Sequence, residues 1–208
     1  MRGRFITLEG LDGAGKSTHL EWLAQRIARR GVRVKVTREP GGTPFGERLR
    51  EVLLDRAQRL HPETETLLVF AARREHLDKV ILPALGQGCW VLCDRFTDAT
   101  YAYQAGGGGV PWERVAVLEK WLLPHGQPDL TLLFDVEPEV GRSRRRAGRE
   151  PDRFEGEQEE FFRRVREAYL RRAQECPERI RVVDANGSLI EVQKKLEEIV
   201  STICFEKG

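Results

Sequence analysis

The sequence predicts an α/β fold: a central, mostly parallel sheet of about five strands flanked by helices on both faces. Three observations predict it. Short β-branched and apolar runs alternate with helical patterns along the chain. A length of 208 residues suffices to bury a core on each side of a sheet, so a single domain over 1–208 is expected. The first apolar run also leads directly into a glycine-rich loop and then a helix. Folds of this class hold ligands at the carboxyl ends of their strands.

The first strand is read in Phe5, Ile6, Thr7 and Leu8. Gly10 to Ser17 then has the spacing Gly-x-x-x-x-Gly-Lys-Ser of a phosphate-binding loop. Leu20, Leu23, Ala24, Ile27 and Ala28 recur at helical spacing, and Gly31 stands where a helix stops. Glycines let the backbone turn its N–H groups toward an anion, and the helix N-terminus adds donors and a positive dipole end. In that context Lys16 reaches the β- and γ-phosphates, and the Ser17 hydroxyl ligates Mg2+. A nucleoside triphosphate is therefore expected on Gly10, Leu11, Asp12, Gly13, Ala14, Gly15, Lys16, Ser17 and Thr18. The fold narrows to the three-layer P-loop NTP hydrolase type. The loop alone leaves GTPase, ATPase, kinase and regulatory readings open.

Val32 to Thr37 gives the second strand, with Arg38 at its end and Pro40-Gly41-Gly42 turning the chain away. A planar guanidinium there suits a second phosphate; a surface pair with Glu39 or Glu47 is the alternative. The stretch from Glu63 to Leu85 is strongly helical, with Leu67, Leu68, Ala71, Leu77, Val80 and Ile81 marking a core side. Phe70 and Arg74, four apart, project together: either a ring and a guanidinium for a flat base, or a core Phe and a solvated charge.

The third strand, Trp90 to Cys93, delivers Asp94, placed to hold Mg2+, and Arg95, placed to clamp a phosphate. Thr100 and Gln104 share a helical face with Tyr103 on the flank, suited to a base or sugar or to an exposed surface. The glycines at 106–109 read as a loop. Leu130 to Phe134 is the fourth strand, followed by Asp135. Beyond it Arg142, Arg145, Arg146 and Arg149 make one basic stripe, extended by Arg144 and Arg153 and punctuated by Gly141, Gly148 and Gly156. This segment, about residues 141–156, reads as a lid that closes on phosphates; a solvated face or a nucleic-acid patch are the alternatives. Ile180 to Val183 gives the last strand.

Lys and Arg number 35 against 33 Asp and Glu, a net charge of +2, so nothing demands a nucleic acid or an anionic membrane. No apolar run approaches a membrane span, and the start "MRGRFITLEG" enters a strand without a signal peptide, so a cytoplasmic protein is expected. Cys89, Cys93, Cys176 and Cys204 lack metal or redox spacing and read as free thiols. A GTP-hydrolysing switch would carry an Asn-Lys-x-Asp segment after a late strand, whereas the last strand here runs into "VVDANGS".

The segments "FITLEGLDGAGKST", "TREPGGTPFGE", "LLVFAARREHL", "CDRFTDATYAYQ", "PDLTLLFDV" and "DRFE" together resemble the thymidylate kinase family, over essentially the whole chain. The resemblance implies transfer of the ATP γ-phosphoryl group to dTMP, giving dTDP for dTTP synthesis, with Mg2+; a kinase for another nucleotide is the alternative. It implies that Phe70 stacks on thymine and that Arg74 bonds its edge. Arg38 and Arg95 would hold the dTMP phosphate. Thr100 and Gln104 would line the pocket with Tyr103 near the 2′ carbon, and Glu9 would join the substrate-binding set. Asp12 would approach the acceptor 3′-hydroxyl and orient Arg38, while Ser17 and Asp94 would serve the metal. Gly13 stands where some members carry a loop Arg, so the catalytic charge falls to Lys16, Arg95 and lid arginines, with Arg149 and Arg153 leading. Phe96 and Ala99 depart from residues common in relatives. A homodimer is implied by the resemblance.

Overall fold

The computed structural model describes residues 2–55, 57–145 and 159–205. Five parallel strands, β1 (Phe5–Gly10), β2 (Val34–Arg38), β3 (Trp90–Asp94), β4 (Leu130–Asp135) and β5 (Ile180–Asp184), lie in the order β2-β3-β1-β4-β5. Each extends one or two residues further toward its carboxyl end than the apolar run that predicts it. Gly10, Arg38, Asp94 and Asp135 are thereby ladder-paired: Arg38 stands beside Asp94, Leu8 beside Asp94, Gly10 beside Phe134, and Asp135 beside Asp184.

The helices are α1 (Lys16–Ala28), α2 (Pro44–Leu54), α3 (Pro62–His76), α4 (Leu82–Gly86), α5 (Thr97–Thr100), α6 (Trp112–Leu122), α7 (Pro138–Arg145), α8 (Glu159–Glu175) and α9 (Leu189–Val200). Among the described residues, π-helical turns continue them at Leu77–Ile81, Tyr101–Gly107 and Ser201–Phe205. Start signals are local: Thr43 caps α2 by accepting from Gly46 N, and Ser188 with Glu191 forms a capping box on α9.

Side chains alternate across the sheet, so each central strand feeds two cores. Ile6, Leu8, Leu92, Leu132 and Phe134 pack with α1, α8 and α9, while Phe5, Val91 and Cys93 pack with α3, α6 and the first two π turns. β1 is buried along its whole length, as a central parallel strand covered on both faces must be. The edge strand β2 is largely exposed.

Two expectations change here. Gly106 and Gly107 do not lie in a loop; they end the π turn Tyr101–Gly107. The reason is packing. A Cβ at Gly106 would meet Ala168 Cβ at 2.4 Å, and one at Gly107 would meet the Phe161 ring at 2.4 Å, so these glycines let α8 approach closely. The basic lid is described only through α7, and Arg146, Arg149 and Arg153 lie outside the described residues. Among the described residues no helix is long and apolar enough to cross a membrane. All four cysteines are free thiols.

Candidate active site

The phosphate loop bends at Gly10, Gly13 and Gly15, with φ of 131°, 82° and 87°. Gly15 is the left-handed N-cap of α1, so the exposed Ser17 and Thr18 follow in its first turn. Lys16 folds back across the loop, donating from Nζ to Gly10 O at 3.0 Å and Leu11 O at 2.9 Å. Asp12 Oδ1 stands 3.8 Å from the same nitrogen. Burial pulls the Lys16 amine below its ordinary value and Arg95 adds to this, with Asp12 and Asp94 opposing.

Across from the loop, Arg95 takes φ 69°, a costly conformation for a residue with a side chain. Its guanidinium donates to Gly10 O, Asp12 Oδ1 (2.7 Å), Tyr103 OH and Tyr169 OH, and lies 4.8 Å from the centre of the Tyr103 ring. Strain at the end of β3 is thus offset by four hydrogen bonds from the two terminal nitrogens of the guanidinium.

Loop and strand ends enclose a cavity of about 360 Å³. Asp12, Ser17, Asp94 and Arg95 form its floor; Arg38, Glu39, Pro40, Arg50, Leu53, Leu54, Val69, Arg73, Ala99, Thr100, Tyr103 and Gln104 form its walls. Asp94 Oδ1 is buried with no hydrogen-bond partner. An orphaned carboxylate oxygen beside the Ser17 hydroxyl and Asp12 is an all-oxygen donor set suited to Mg2+. Among the described residues no group of three or more His, Cys, Asp or Glu gathers as a metal cage.

The polar wall is interlocked. Arg73 donates from Nε to Glu39 Oε2 at 2.6 Å, from one terminal nitrogen to Thr100 Oγ1 at 2.9 Å, and from the other to Phe96 O at 2.9 Å. Gln104 Nε2 donates to Glu65 Oε1 at 2.7 Å. Arg38 is half exposed and donates to Glu47 Oε2 at 2.9 Å, and Arg50 donates to Pro40 O at 3.0 Å.

Lys16, Ser17, Asp12, Arg38, Asp94, Arg95, Thr100, Tyr103 and Gln104 are therefore gathered at or around one cavity. Phe70 and Arg74 are not. Phe70 is fully buried in the core beside Phe5 and Phe96, and Arg74 turns outward to Asp78 and Leu122 O. The cavity-facing pair sits one residue earlier, at Val69 and Arg73, with the same spacing. Phe70 supports it from beneath, its ring centre 5.1 Å from the Arg73 guanidinium carbon. Glu9 also stays out of the cavity: it is fully buried below the floor, accepting from Phe96 N at 2.6 Å and from Tyr169 OH at 2.9 Å. Phe96 itself is in the core, edge-on to Phe5 at 4.9 Å. Arg50 carried a readable signal, since it lies three and four residues before Leu53 and Leu54 and so shares their face.

The sequence pattern of the family described as thymidylate kinase matches residues 8–196. A thymidylate kinase of Nitrosospira multiformis is 62% identical over 98% of this chain and 99% of that protein. One from Cupriavidus metallidurans is 58% identical over 98% of this chain and 100% of that protein. A crystal structure of thymidylate kinase from Ehrlichia chaffeensis superposes with a TM-score of 0.79 at 34% identity, covering 97% of this chain and 99% of that one. By that match over most of its length, and with its sheet order, phosphate loop and strand-end cavity in agreement, the chain belongs to the thymidylate kinase family.

Proposed function

We infer that this cavity is where the chain phosphorylates dTMP to dTDP with ATP, and that its residues divide the work between the two nucleotides. One observation carries the reading. A buried arginine, Arg73, fixed by Glu39, Thr100 and Phe96 O, stands in the same cavity as a phosphate loop and Arg95. A guanidinium donates only, so it matches the carbonyl edge of thymine and repels the amino group of cytosine. Val69, Leu53 and Leu54 supply apolar surface for the ring, and Gln104 supplies an amide for its remaining edge.

The loop N–H groups and Lys16 hold the ATP β- and γ-phosphates, while Arg38 and Arg95 hold the dTMP phosphate. Asp12 orients Arg95 through the 2.7 Å bond and reaches toward the acceptor sugar. Mg2+, held from Ser17 and Asp94, would supply charge neutralisation on the transferring group. The acceptor is already an anion, so positioning and electrostatics carry the rate rather than a general base. Lid arginines, Arg149 and Arg153 foremost, close the site and exclude water.

Leu67, Val117 and Trp121, 56%, 65% and 73% exposed, lie on the neighbouring helices α3 and α6 and support a homodimer through that face. Free thiols on all four cysteines support work in a reducing cytoplasm.

The test is ADP release with Mg2+, ATP and dTMP, run beside dUMP, dCMP and dGMP. Turnover with dTMP is expected, with dUMP poorer by a methyl group's worth of binding, about 10- to 200-fold. Activity confined to a different acceptor would overturn the roles given to Arg73 and Gln104.

A further inference from the structure

We propose that His76 is a positioning residue for the acceptor pocket: it fixes the aim of Arg73 by holding the far oxygen of Glu39. The proposal rests on the reading of the cavity just given. His76 is fully buried in the last turn of α3 and does not line the cavity. Its Nδ1 lies 2.9 Å from Glu39 Oε1 and its Nε2 lies 2.7 Å from Thr37 Oγ1. A carboxylate only accepts, so Nδ1–H donates to Glu39, and the Thr37 hydroxyl satisfies Nε2 in either protonation state.

Glu39 is thus shared, one oxygen for the imidazole and the other for the Arg73 Nε at 2.6 Å. All three side chains are almost wholly buried. A carboxylate gripped on one oxygen cannot rotate to follow a guanidinium, so His76 sets the Nε end of Arg73 at one remove, while Thr100 and Phe96 O hold its terminal nitrogens. Without that grip, Glu39 can turn on its own side-chain torsions, and Arg73 keeps only its bonds to Thr100 Oγ1 and Phe96 O.

His76 also reaches the phosphate side of the pocket. Glu39 opens the turn that follows β2, and Gly42 in that turn lies against the imidazole. A Cβ at Gly42 would stand 2.4 Å from Nε2 and 2.5 Å from Cδ2. The same turn follows Arg38 and accepts from Arg50 at Pro40 O. One imidazole therefore joins the helix that carries Arg73 to the strand end that carries Arg38. A His that only filled space would be replaceable by Leu with no effect on substrate affinity.

The experiment compares His76→Leu, His76→Asn and His76→Gln in steady-state kinetics with ATP and dTMP, with a melting curve for each. Asn keeps an N–H at the position of Nδ1; Gln places its amide at the position of Nε2 and loses the Glu39 contact. Leu and Gln are expected to raise the KM for dTMP roughly tenfold or more, while kcat and the KM for ATP stay within about threefold and Asn stays near wild type. If Leu does not fold, the Asn and Gln pair decides. An unchanged KM for dTMP in His76→Gln, or equal losses in Asn and Gln, overturns the proposal with the cavity reading intact. A wild-type protein without dTMP turnover overturns both.

Discussion

Arg73 and Arg74 are chain neighbours on α3 that leave it in opposite directions. The first is 1% exposed and bonded to Glu39; the second is 39% exposed and paired with Asp78 at the surface. Arg73→Ala strands a buried carboxylate and should cost ~3–5 kcal/mol. Arg74→Ala removes a screened surface pair with Asp78 and one hydrogen bond to Leu122 O, and should cost no more than ~1–2 kcal/mol. Urea denaturation checks both, and the KM for dTMP should move only with Arg73. Equal effects at the two positions would refute the assignment.

Asp94 keeps one carboxylate oxygen buried without a partner. Asp94→Asn removes a desolvated charge, so the apoprotein should be as stable as wild type or more so. The Mg2+ concentration for half-maximal activity should rise ~10–100-fold. A Mg2+ titration of the rate, run beside a melting curve, separates the two effects. An unchanged Mg2+ midpoint would remove Asp94 from the metal's surroundings.

Burial pushes the Glu9 carboxyl up to about 8, with Asp98 adding and Arg95, the Phe96 N–H and the Tyr169 hydroxyl opposing. In the unfolded chain the same group ionises near its ordinary value of 4.5. Between those values the folded protein holds a proton that the unfolded chain has lost, so this site's contribution to stability falls as pH rises. The loss runs from about 4.5 to about 8 and levels off above the folded value. Glu9→Gln should flatten the dependence of Tm on pH across that window. Parallel curves for variant and wild type would show that Glu9 is ionised in the fold.

At Gly107 the Phe161 ring and Val165 Cγ2 (2.9 Å) leave no room for a methyl group. Gly107→Ala forces α8 away from the π turn and should cost ~1–3 kcal/mol. Because Tyr169 on α8 bonds Arg95, the KM for dTMP should rise with the loss of stability. A calorimetric Tm equal to wild type would mean that the helix pair has slack.

The strands and the phosphate loop were legible because their signals are local. An apolar run closed by Gly-x-x-x-x-Gly-Lys-Ser has few structural interpretations. The cavity-facing pair was not, because Phe70/Arg74 and Val69/Arg73 have identical spacing and differ only in which side of α3 meets the sheet. The larger ring belongs to the core, where it packs on Phe5 and Phe96, and the smaller Val69 is left for the cavity. Glu9 misled for a similar reason: a carboxylate beside a phosphate loop looks like a ligand, yet it points under the floor to Tyr169, 160 residues away. Glycines at 106 and 107 look like a loop until α8 is seen against them. Each miss depends on a partner distant in the chain.

The π turn Tyr101–Gly107 carries Tyr103 and Gln104 into the cavity immediately after the α-helical Thr97–Thr100. Its i→i+5 bonds, such as Gly108 N to Tyr103 O at 2.8 Å, hold one more residue per turn of hydrogen bonding than an α-helix does. Deleting a single residue such as Ala102 would restore the α count and change where Gln104 points relative to Thr100 while leaving a helix in place. This stretch can therefore accept changes of letter far more readily than changes of length. Across evolutionary time, insertions and deletions rather than point substitutions would be the events that re-aim the pocket.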